Sequence, residues 1–101
     1  MSRFMILHFG FEQPTPEIMQ AWGAWFGKLG NALVDGGSTF ADGAVVTADG
    51  AHELGNDASP ITGYCIIEAA DMDAALELVS GVPVIEAVRI YELSGPPAPA
   101  A

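Results

Sequence analysis

The chain has 101 residues, of which half are hydrophobic and 16% charged. Three basic residues face thirteen acidic ones, a formal charge of −10 that repels phosphate backbones and anionic lipid and so argues against nucleic-acid and membrane partners. The length suits one domain, read as residues 1–94, followed by a Pro/Ala tail at 95–101. A domain this small hides only about 60–65% of its unfolded surface. So much apolar side chain therefore calls for a second covered surface, and self-association is the plain way to supply it.

The first strand is expected at Arg3–Phe9, apolar on both faces except for His8, which shares a face with Phe4 and Ile6 by period-two alternation. A helix follows. Thr15 suits its N-cap, Pro16 its first position and Glu17 its positive end. Ile18, Trp22, Trp25, Phe26, Leu29 and Leu33 form its apolar stripe, and the helix is expected to run until Asp35-Gly36-Gly37 stops it. Gly23, Gly27 and Gly30 form a neighbouring stripe that suggests close approach to a sheet or a partner, with a merely weak helix as the alternative.

Residues 35–61 are the least regular. Val45–Thr47, between the turn signals Asp42-Gly43 and Asp49-Gly50, suggest a short hairpin, and Gly55–Pro60 reads as loop. A second central strand is expected at Thr62–Ala69. Asp71 then caps a helix with Met72, Ala75, Leu76 and Val79 on its buried side, and Gly81 ends it. The last strand is expected at Val84–Leu93, before a disordered tail at Ser94–Ala101.

This order is the split βαββαβ pattern of an α+β, ferredoxin-like domain, with both helices on one face of a four-stranded antiparallel sheet. Apolar residues on both strand faces leave the second face needing a cover. Two such sheets packed face to face would supply it, as a dimeric α/β barrel.

The segment from Gly63-Tyr64-Cys65-Ile66-Ile67-Glu68 through Asp71-Met72-Asp73 to Glu77 resembles the second half of YCII-related (DGPF-type) domains, and Phe4–His8 followed by a helix with Trp22 is similar to their start. The resemblance spans about residues 3–93 and implies a dimeric α/β barrel of ferredoxin-like protomers. Some members look like enzymes that pair a helix histidine with an aspartate near the following turn. In this chain Asp35 lies where that aspartate is expected, tryptophans stand in the helix region instead of a histidine, and Asp49-Gly50 is followed by Ala51-His52.

His8 is the first candidate for chemistry, as a general base or a ligand donor, because an imidazole in an apolar strand is unusual and an unperturbed histidine titrates near pH 6.5. A core histidine with one satisfied hydrogen bond is the structural alternative. Glu68 and Arg89 interrupt the other strands. If strand parity puts them on the face of His8, they form a polar cluster beside Tyr64; a structural Glu–Arg pair at a dimer contact is the other possibility. Asp35 is a candidate catalytic carboxylate or a turn former. Trp22 and Trp25 are either core or the roof of a pocket for an aromatic ligand. His52, beside Glu53, reads as solvated. The single Cys65 excludes an intrachain disulfide and fits a reducing, cytoplasmic setting as an inert thiol.

No metal-ligand spacing, GxGxxG loop or Gly-x-Ser-x-Gly elbow occurs, so no metal or cofactor is expected. The leading expectation is a homodimer that binds a small aromatic or keto molecule in a cleft between the sheet and residues 35–61, as a cofactor-free lyase or isomerase. His8 would then act as base, Asp35 as orienting acid and Arg89 as anion anchor. A non-catalytic ligand- or protein-binding regulatory module and a purely structural dimer are the alternatives.

Overall fold

The computed structural model describes residues 1–10, 13, 15–54 and 60–95. The tail expected at 95–101 and the loop expected at 55–60 fall almost wholly outside these residues.

The elements run β1 (Ser2–Phe9), α1 (Pro16–Leu29), a 3-10 turn (Gly30–Ala32), β2 (Leu33–Thr39), β3 (Ala44–Thr47), β4 (Gly50–Glu53), β5 (Ile61–Ala69), α2 (Met72–Val79) and β6 (Ala87–Leu93). Four strands pair antiparallel in the order β2-β5-β1-β6, and β3-β4 form a separate two-stranded ribbon. This is an α+β architecture compatible with a ferredoxin-like fold.

Both helices begin where local chemistry dictates. Thr15 Oγ1 accepts from the Ile18 amide at 3.2 Å, and Asp71 Oδ1 accepts from the Ala74 amide at 2.8 Å. One face of each helix meets one face of the sheet. Phe4, Ile6, Cys65 and Ile67 are fully buried there, joined by Trp25, Leu29, Ala75 and Val79. In α2 this face holds Ala75 and Val79 with Ala74 and Leu78, whereas Met72 and Leu76, expected on the buried side, are exposed. The helices are also tied to each other. The Trp25 indole donates to the Leu78 carbonyl at 3.1 Å, and Lys28 Nζ donates to the Ser80 carbonyl at 2.6 Å. Lys28 thereby places a cation at the negative end of α2.

One expected boundary is corrected. The first helix stops at Leu29 instead of continuing through Leu33, because Gly30 takes a φ of +51°. Leu33 then pairs with Ile67, so the fourth strand of the main sheet is Leu33–Thr39. The hairpin expected around Val45–Thr47 forms, but outside that sheet. The last strand begins at Ala87, three residues later than expected. The glycine stripe of α1 faces open space: a Cβ at Gly23, Gly27 or Gly30 would meet nothing within 4 Å.

β2 is an irregular edge strand, with register shifts on both sides of Asp35. Gly37 lies at φ +68°, and a Cβ there would sit 1.8 Å from the Tyr64 carbonyl oxygen. Only glycine permits this approach.

Candidate functional site

Strand register divides the expected site residues between two faces. In β1, Phe4, Ile6 and His8 point toward the helices, and Arg3, Met5, Leu7 and Phe9 point to the other side. Tyr64 pairs with Leu7, Glu68 with Arg3, and Arg89 with Leu7 from the opposite side. Tyr64, Glu68 and Arg89 therefore share the open face, and His8 lies on the helix-covered one. The polar cluster considered for His8, Glu68 and Arg89 does not form, because each one-residue step along a strand reverses the face.

His8 belongs to an aromatic group instead. Its ring stands edge-on to Trp22 at 4.9 Å and to Trp25 at 6.1 Å between centroids. Its Nδ1 is buried and meets no hydrogen-bond partner among the described residues. Burial disfavours the imidazolium and lowers the pKa of His8 below its usual value. Trp22 contacts Trp25 and Phe26 within the same group, so the tryptophans wall the core.

Asp35 works locally. Its Oδ1 accepts from the Gly37 amide at 2.8 Å, across the irregular part of β2. The thiol of fully buried Cys65 is pushed up to about 11, by desolvation first and by the charge of Asp35 second. Such a thiol stays protonated and unreactive at neutral pH.

The open face is apolar along its middle and carries charge near its margins. Met5, Leu7, Tyr64 and Ile66 alternate across β1 and β5, flanked by Arg3–Glu68 at one end and Arg89 on β6. The Arg89 guanidinium lies 5.0 Å from the Phe9 ring centroid and donates to the Tyr91 hydroxyl at 3.1 Å. That pairing of a planar cation with a ring face is a cation–π contact.

A separate groove of about 930 Å³ opens between the sheet edge and the hairpin. Phe40, Leu54, Pro60 and Ile61 supply its apolar surface, and Asp42 and Glu53 its charge. Its frame follows from backbone bonds. The Phe40 amide donates to the Thr62 carbonyl at 2.8 Å, and the Leu54 amide donates to the Gly43 carbonyl at 3.0 Å, closing the foot of the hairpin. The Phe40 ring stacks on Tyr64 at 5.8 Å, so the groove adjoins the open sheet face. Phe40, Leu54 and Ile61 remain 45, 41 and 42% exposed. Sequence reasoning placed a cleft beside residues 35–61 but missed these lining residues. The available signal was three large apolar side chains flanking an Asp-Gly hairpin.

Among the described residues, no three His, Cys, Asp or Glu side chains converge as a metal site needs. None of their helices is long and apolar enough to cross a membrane. No protein-family model matches the chain, and no curated protein matches it as a relative.

Proposed function

We propose that this chain is a cytoplasmic, homodimeric, small-molecule-binding protein of the YCII-related kind, with its ligand in the groove between the sheet edge and the hairpin. The groove itself carries this reading. Its volume lies in the range of small-molecule sites, and it combines apolar walls with a few charged groups. Binding without turnover is favoured over lyase or isomerase chemistry. His8 lies on the helix side among tryptophans, and the Asp35 carboxylate is engaged with the Gly37 amide. Arg89 is on β6, across the sheet from the β2 edge, so it anchors nothing in the groove.

The partner in the homodimer is a second copy laid on the open sheet face. Four strands of about seven residues present a face roughly 19 Å by 23 Å, about 440 Å² in projection. A standard interface buries about 800 Å² of accessible surface per partner. Side-chain relief narrows that gap. Arg3 opposite Glu68 and Arg89 over Phe9 place the charged groups of that face at its margins.

Two measurements test this reading. Sedimentation of the intact chain should give about twice 10.5 kDa, and Leu7→Glu, which puts a charge at the centre of the face, should return it to the monomer. Amide NMR shifts at residues 40–44, 53, 54 and 61 on adding small aromatic or keto compounds support the groove. No such shift with any of them would remove it.

A further inference from the structure

The charges around the groove narrow its ligand class. It holds two carboxylates, Asp42 and Glu53, against apolar walls from Phe40, Leu54, Pro60 and Ile61. The whole chain has only three Lys or Arg residues, and all three are placed elsewhere. Lys28 is bonded to the carbonyls at the end of α2, Arg3 stands opposite Glu68, and Arg89 lies over Phe9 on the far edge strand. No lysine or arginine of this chain serves the two groove acids, and the net charge of −10 adds to the negative potential there. The exposed Phe40 ring, held by its stack on Tyr64, offers an aromatic surface beside them.

We infer that the groove selects a small organic cation, an aromatic or aliphatic body carrying one ammonium or guanidinium group. The apolar body lies on Phe40, Leu54 and Ile61, and the cationic head meets Asp42 and Glu53. An anionic ligand of the same shape meets two like charges and no counter-charge. A cation of this kind also gains from the face of Phe40. This class rests on the groove being the ligand cleft, and it reverses the anionic preference that Arg89 suggested in the sequence.

The test is an amide NMR titration of the full chain with three probes of one shape: 2-phenylethylamine, 2-phenylethanol and phenylacetate. The amine should give saturable shifts at residues 40–44, 53, 54 and 61, at least tenfold tighter than phenylacetate, and weakening as salt rises. Asp42→Asn and Glu53→Gln, both at exposed positions, should each weaken the amine at least fivefold, with Asp73→Asn on α2 leaving it unchanged. Equal binding of all three probes in the groove would overturn the cationic selectivity and leave the groove as a ligand site. Absence of shifts with any probe would overturn both.

Discussion

Gly36 and Gly37 are neighbours in one edge strand, yet replacing each by alanine should have opposite outcomes. At Gly36 an added Cβ meets nothing within 4 Å, and the backbone is not left-handed. Gly36→Ala should be neutral or stabilising by up to about 0.5–1 kcal/mol, through the lower entropy of the unfolded chain. At Gly37 two costs add. A left-handed conformation costs a non-glycine residue about 1–2 kcal/mol. The Cβ would also stand 1.8 Å from the Tyr64 oxygen, so β2 must retreat by more than an ångström. That retreat breaks backbone bonds to β5, each worth about 1 kcal/mol net. With two such bonds lost, Gly37→Ala should cost about 3–4 kcal/mol, a large part of the roughly 5–15 kcal/mol that holds a domain of this size. Because β2 is at the edge, part of the cost should appear as local opening. The assay is urea unfolding of both variants, with hydrogen exchange of the Phe40 amide, which donates to Thr62. Faster exchange at Phe40 in Gly37→Ala alone is the expected pattern. If the two variants unfold within 0.5 kcal/mol of each other and Phe40 exchange is unchanged, the account of β2 is wrong.

Three other perturbations have defined outcomes. Burial lowers the His8 pKa, so the unfolded chain binds its proton more readily than the folded one. His8 should therefore contribute its full stability above its ordinary pKa, near 6.5, and lose it as pH falls through the lowered folded value. Urea unfolding from pH 7.5 to 5 should show wild type losing stability relative to His8→Leu, and the opposite slope would contradict the burial of the ring. The Cys65 thiol, pushed up to about 11, should resist a disulfide-exchange reagent at pH 8 in the folded protein and react promptly in urea. Trp25→Phe keeps an aromatic ring but removes the donor to the Leu78 carbonyl, and should cost about 1–3 kcal/mol in urea unfolding.

Much of the architecture was legible in the residues because local rules and tertiary packing agree. Thr15 and Asp71 cap their helices as their side chains require, and the apolar stripe containing Trp25 and Leu29 faces the sheet. The break at Gly30 was not legible. Leu33 continues the helical spacing of Trp22, Phe26 and Leu29, and only its pairing with Ile67 turns the chain into a strand there. Alternation along β1 put His8 with Phe4 and Ile6, but not which face the helices cover. Asp35 could be read equally as a carboxylate for chemistry or as a turn former, until its bond to the Gly37 amide was seen.

The sequence by itself determined two capped helices, apolar central strands and an excess of acid over base, because these depend on spacing and composition. Tertiary structure alone decided that His8 and Arg89 face opposite ways, that Leu33–Thr39 joins the sheet, and that Phe40, Asp42 and Glu53 line one groove beside the hairpin. Those relations span residues far apart in the chain. They are set by strand register and sheet order, which no local pattern of side chains encodes.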